Sequence, residues 1–199
     1  MERAAVFPEP GFRRSLYRQW SERAQLIFIG LNPGKADGTI DDATARKMVG
    51  FATRWGAGAY WAFNLFEYVS TDPLGLVNRL EAGLPCNSGF VDGALLDLLR
   101  GPHTPPVCFA WGNPPCRASK HPKAFAAWKQ RTQDVMALVD NRVLWPPWVA
   151  AQTKDGNPAH LSRLPYVDKP TLVAFRMILG ERRLVEDPAN KALHTTGAP

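Results

Sequence analysis

The sequence predicts an α/β protein built on a mainly parallel sheet, and three observations carry that prediction. Short apolar runs ending in glycine- or proline-bearing loops alternate with segments whose apolar residues recur at helical spacing. A chain of 199 residues with 45% hydrophobic content can close one full core and is too short for two comfortable ones. No window approaches the roughly 18 apolar residues that a membrane-spanning helix needs.

The elements follow in order. The opening residues are polar and include Tyr17, Arg18 and Trp20. Leu26-Ile27-Phe28-Ile29 then forms a short apolar run of the kind that makes a parallel strand buried on both faces. Asp41 and Asp42 supply N-cap chemistry for a helix with apolar positions at Ala45, Met48, Val49 and Ala52, stopped by Gly56. A second strand spans about Tyr60 to Asn64. Thr71-Asp72-Pro73 opens a short helix or turn, and Val91, Ala94, Leu95 and Leu98 repeat at helical spacing. Val107 to Trp111 is the next strand, and Phe125, Trp128, Val135 and Val139 mark another amphipathic helix. Val143 to Val149 is strand-like, with Pro146-Pro147 marking an edge or a bend. Leu172 to Leu179 is expected to be helical. Residues 1–180 then form a single domain, and Glu181 to Pro199 a charged, loosely attached tail.

In such a sheet, ligands bind beyond the carboxyl ends of the strands. Three loops leave those ends: after Ile29, after Phe63 and after Trp111. The first, Gly30-Leu31-Asn32-Pro33-Gly34, combines two glycines and a proline, which set an unusual backbone path and allow a ligand close approach. It lacks the spacing of a Walker A loop or a dinucleotide fingerprint. Asn32 can accept and donate hydrogen bonds but does not titrate, so it can hold a water or a base edge without acting as a general base. Asn64 is a polar amide among bulky apolar neighbours, and it either reads a ligand or ties two loops together. In the segment Lys154 to Arg163, which includes Asn157, His160 can donate to a leaving group and Arg163 can hold a phosphate. The alternative for His160 is a structural turn. Aromatic residues cluster near the second strand (Trp55, Tyr60, Trp61, Phe63 and Phe66), and one of them could stack on a base. Asp37, Asp41 and Asp42 are the nearest carboxylates to the first loop. Helix capping accounts for Asp41 or Asp42 and leaves Asp37 unassigned.

The formal net charge of +6 favours a polyanionic partner, because Lys and Arg that neutralise phosphates release condensed counterions. Three cysteines, Cys86, Cys108 and Cys116, cannot complete a disulfide framework and match no metal-binding spacing. A reducing compartment is expected, and with no signal-peptide pattern the cytoplasm is the default expectation. No metal, cofactor or membrane contact is expected, and the oligomeric state is left open.

Two family resemblances emerge. The motifs Leu31-Asn32-Pro33, Asp41 to Arg46, Phe51 to Gly56, Asn64-Leu65-Phe66, Thr71-Asp72-Pro73, Ala110-Trp111-Gly112 and Thr153 to Gly156 resemble a bacterial domain-of-unknown-function family, number sixteen forty-three. Where that family has a histidine-proline pair, this chain has His160-Leu161. More distantly, Gly30 to Gly34 resembles the first motif of the uracil-DNA glycosylase superfamily, in the mismatch-specific branch with a Gly-x-Asn-Pro-Gly loop. Asn157 to Arg163 is similar to that branch's second motif, Asn-Pro-Ser-Gly-Leu-Ser-Arg, agreeing at five of seven positions. A second alignment instead makes His160 the opening histidine of the motif as found in other branches.

The glycosylase resemblance implies a three-layer α/β/α sandwich around a short, mainly parallel sheet, and hydrolysis of the N-glycosidic bond of a uracil-type or otherwise modified base in DNA. It implies that Asn32 and His160 are catalytic, the first holding water and the second facing the departing base. It implies that Gly30, Leu31, Pro33, Gly34, Asn64, Asn157, Ser162 and Arg163 bind substrate, and that Leu161 fills the gap left in the base stack. No iron–sulfur cluster is implied, since the branches that carry one use four cysteines. The alternatives are a nucleoside- or nucleotide-processing hydrolase and a non-catalytic nucleic-acid-binding module.

Overall fold

The structure is a computed structural model and describes residues 1–87, 91–101, 103–141, 146–178 and 181–187. Among these, eight strands form one sheet: β1 (Glu2–Val6), β2 (Ser15–Gln19), β3 (Gln25–Gly30), β4 (Ala59–Asn64), β5 (Val107–Phe109), β6 (Trp148–Val149), β7 (Thr171–Ile178) and β8 (Glu181–Glu186). The order across the sheet is β1-β2-β4-β3-β5-β6-β7-β8. Its centre, β4-β3-β5-β6, is parallel, whereas β1, β2, β7 and β8 join antiparallel at the two sides. The sheet is therefore mixed and wide, and the expectation of a short, mainly parallel sheet holds only for its centre.

Alternation along the central strands splits the core in two. Ile27 and Ile29 of β3 join Phe63, Val107 and Phe109 in one cluster, which is closed by helices α2 (Pro73–Glu81), α3 (Val91–Leu99) and α4 (Pro122–Asp140). Leu26 and Phe28 of β3 join Tyr60, Ala62 and Cys108 in the other, closed by α1 (Ala43–Arg54) through Ala45, Met48, Phe51 and Ala52. Asp42 is the N-cap of α1, accepting from the Ala45 N–H at 2.8 Å, and Asp72 caps α2.

Several expectations need correction. β1 and β2 arise from the polar opening stretch, where charged residues obscure the two-residue period; Arg18 of β2 is fully buried. Leu172 to Leu179 was expected to be helical, but Thr171–Ile178 is a strand in register with β8, and Leu179 lies outside the described residues. A short apolar run of this kind fits a buried strand as well as a helix, and pairing decides between them. The stretch expected as a loose tail begins with β8, whose Leu184 is in the core. There the backbone of Arg182 exchanges two hydrogen bonds with the Gln133 side chain. The folded unit thus runs past residue 180, and residues 188–199 lie outside the described set. Of the stretch Val143 to Val149 only Trp148–Val149 is described as strand; 143–145 are likewise outside it. No described helix is long and apolar enough to cross a membrane, and the three cysteines are free.

Candidate active site

The parity that builds the two cores also places the site. Continuing the period of two from Leu26 and Phe28 brings Gly30 to the α1 side of the sheet; the same step from Tyr60 and Ala62 brings Asn64 there, and from Cys108 it brings Ala110. Gly30 and Asn64 are register partners at the carboxyl ends of β3 and β4. A Cβ added at Gly30 would lie 2.8 Å from Asn64 Oδ1, so only glycine leaves room for that carboxamide. Gly30, Asn64 and Ala110 line one small cavity with Leu31, Asn32, Gly34, Asp42, His160 and Leu161, which adjoins Arg13 and the first turn of α1. Its volume is about 30 Å³. That is room for one or two waters, not for a base.

Asn32 is half-buried, and its Nδ2 donates to the carbonyls of Ser70 (2.9 Å) and Pro33 (3.2 Å). Ser70 in turn donates its backbone N–H to Pro33 O at 3.0 Å, which laces the first loop to the segment after β4. With the amide nitrogen committed, Oδ1 is the part of Asn32 suited to accept from a water. Asn64 is 6% exposed, and its Nδ2 has no hydrogen-bond partner among the described residues. Leaving such a donor unmet costs about 1–3 kcal/mol, so a group that accepts from it is worth that much to binding.

His160 is held from below. Its Nδ1 accepts from the Ser162 backbone N–H at 3.3 Å and lies 2.8 Å from Ser162 Oγ. Because the backbone group can only donate, Nδ1 must carry the lone pair, and a neutral ring then bears its proton on Nε2. Burial pushes the His160 pKa below its ordinary value, the nearby Arg163 adds to this, and Asp42 opposes both. At neutral pH the ring is an uncharged donor. It reaches the cavity because Gly112, at φ +80°, turns the chain after β5 and brings its N–H to Pro158 O at 2.9 Å. A Cβ at Gly112 would sit 3.4 Å from that of His160.

The remaining predicted residues separate. Pro33 is buried, and its carbonyl serves the loop lacing. Ser162 orients His160, while Arg163 is exposed. Asn157 lies elsewhere: it bonds Asn113 Oδ1 at 3.0 Å and lines a second cavity of about 370 Å³ between α4 and β8. Leu161 is 1% exposed and packs in the α1 core. The role assigned to it in the base stack is therefore corrected: a side chain filling that core cannot also enter a duplex.

Sequence reasoning missed Arg13 and Arg18. Arg13 is 4% exposed, lines the cavity and donates from Nη1 to Ala36 O at 2.6 Å. Burial lowers its pKa to about 10, against the opposing pull of the Asp42 carboxylate. Arg18 fixes the same loop through Asp41 Oδ1 (2.7 Å), Asp37 O (2.6 Å) and Ile40 O (3.1 Å). Arg3 reaches Thr39 O at 2.7 Å and Asp41 at 3.2 Å. Asp37 closes a turn by accepting from the N–H groups of Thr39 and Ile40. The available signal was five arginines before the loop (Arg3, Arg13, Arg14, Arg18 and Arg23) and three aspartates within it.

No curated protein and no solved structure matches the chain. A family model matches residues 13–160, a span that begins at Arg13 and ends at His160, both of which line the cavity. The chain belongs to the family described as Protein of unknown function (DUF1643).

Proposed function

We propose that the protein is a DNA glycosylase-like hydrolase, with the three-layer α/β/α arrangement of the uracil-DNA glycosylase superfamily, acting on a uracil-type or otherwise modified base. The observation that carries this reading is the convergence of the Gly30 to Gly34 loop, Asn64 and His160 on one cavity, to which Asn64 brings a buried donor without a partner among the described residues. The motif resemblance at Gly30 to Gly34 supports it. The cavity has the scale of a water, so the nucleophile occupies it and the extruded base sits at its mouth. Asn32 Oδ1 accepts from that water. Asn64 Nδ2 donates to a carbonyl of the base. His160 Nε2–H stabilises the negative charge that grows on the base as the glycosidic bond breaks. A neutral, oriented donor aimed at developing charge acts mainly in the transition state. The exposed cations Lys35, Lys154 and Arg163 supply phosphate contacts.

The burial of Leu161 favours a second reading, a nucleoside- or nucleotide-processing hydrolase, because it removes the residue assigned to the vacated stack of a duplex. Incubation with single- and double-stranded oligonucleotides carrying assorted modified bases, and with the matching nucleosides, separates the two. Release of base from DNA, with binding that weakens steeply as salt rises, supports the first reading. Turnover of nucleosides alone supports the second. Salt-sensitive DNA binding without turnover identifies a binding module and contradicts both.

A further inference from the structure

We infer that Asp42 is the general base of this site, taking a proton from the water that Asn32 holds; the inference rests on the reading of the site as a glycosidic-bond hydrolase. Hydrolysis requires a proton acceptor, and Asn32 has none to offer. Among the residues lining the cavity, Asp42 is the carboxylate. Its Oδ1 caps α1, and its Oδ2 accepts from the Ala36 N–H at the long distance of 3.3 Å while lying against Gly34. A carboxylate oxygen has two lone-pair directions, so Oδ2 keeps capacity for a water. Any side chain at Gly34 would displace that oxygen, which gives the second glycine of the loop a chemical reason.

The charged or titratable groups that share the field of Asp42 are Arg13 from the segment before β2, Tyr60 from β4 and His160 from the segment after Pro158. The buried Arg13 guanidinium and the Asp42 carboxylate attract each other across the cavity. In the step, a water O–H bond breaks and its proton passes to Asp42 Oδ2, while the oxygen bonds to the anomeric carbon. The carbon–nitrogen bond breaks with its electron pair leaving on the base, where His160 Nε2–H meets it. The proton on Asp42 returns through solvent to the base, so that one water is consumed per base released.

The N-cap role makes the test sharp, because Asn and Ser cap helices about as well as Asp, and Gly nearly so, yet none of them titrates. Asp42→Asn and Asp42→Ser should melt within a few degrees of the wild type. Their turnover should be lower by roughly 100-fold or more. Asp42→Gly, which vacates the space the carboxylate fills, should recover part of its rate with added formate. Wild-type turnover in Asp42→Asn would overturn the inference while leaving the glycosidase reading standing. A loss that only tracks unfolding, with no rescue by formate, would overturn it as well. A wild-type protein inactive on every DNA and nucleoside substrate would overturn both.

Discussion

Replacing Arg18 by Met should destabilise the whole molecule and not only the loop it touches. The guanidinium is fully buried and makes five hydrogen bonds: to Asp41 Oδ1 and to the carbonyls of Ala4, Tyr17, Asp37 and Ile40. Met fills much of the same space but meets none of these acceptors. Asp41, whose side chain is only 13% exposed, would keep Arg3 as its one ion-pair partner among the described residues. Breaking a buried ion pair from one side costs about 3–5 kcal/mol. For a chain of this size each kcal/mol lowers Tm by roughly 2–4 °C, so a fall of about 6–20 °C is expected. Arg18→Lys should recover little of it, because an ammonium cannot span acceptors arranged for a planar fork. Arg3→Ala, which removes the more exposed partner, should cost about 1 kcal/mol or less. Calorimetry or circular dichroism melts of the three variants provide the check. If Arg18→Met melted within 2 °C of wild type, roughly the effect of a single kcal/mol, the view of β2 as the anchor of the 36–42 loop would be refuted.

Two further expectations concern the site. Gly30→Ala places a Cβ against Asn64 Oδ1; it should cost about 1–3 kcal/mol as an overpacking change and lower turnover by more than its effect on folding, as parallel melts and rate assays would reveal. His160→Gln should make stability less sensitive to acid. The folded-state pKa of His160 lies below its unfolded value, so its neutral form favours the fold above about pH 6.5, and that contribution is lost as pH falls through the lower folded pKa. Urea unfolding at pH 7.5 and pH 5 should therefore show a smaller difference for the variant than for the wild type, and an equal difference would exclude the burial of a neutral ring.

The parallel centre of the fold was legible because strands buried on both faces are written as unbroken apolar runs, as in Leu26 to Ile29 and Val107 to Phe109. Helix α1 was legible from Asp42 and the spacing of Ala45, Met48 and Ala52. The flanking strands were not. β2 carries a buried arginine whose partners include backbone carbonyls 14, 19 and 22 residues away, and no local period encodes such partners. Leu172 to Ile178 is apolar but for Arg176 and too short for periodicity to separate helix from strand, and the pairing of β7 with β8 is a non-local fact. Within the site, the loop glycines and Asn32, Asn64 and His160 could be chosen from residue chemistry at strand ends. The burial of Leu161 and the departure of Asn157 to another cavity depend on how the segment from 157 to 163 threads between α1 and the end of β5. Short-range sequence does not carry that path.

The central claim is that Asn32 holds the water that cleaves an N-glycosidic bond, and single-turnover release of free base tests it most directly. Wild-type protein and Asn32→Ala are each mixed in excess with an oligonucleotide carrying one uracil or other modified base, and the released base is quantified by mass spectrometry. Asn32→Ala gives up its bond to Ser70 O, so it should lose about 1 kcal/mol of stability and remain folded. The account predicts base release by the wild type and a rate lower by roughly 100-fold or more in the variant. Equal release by the two folded proteins, or no release by the wild type from any base tested, would contradict it.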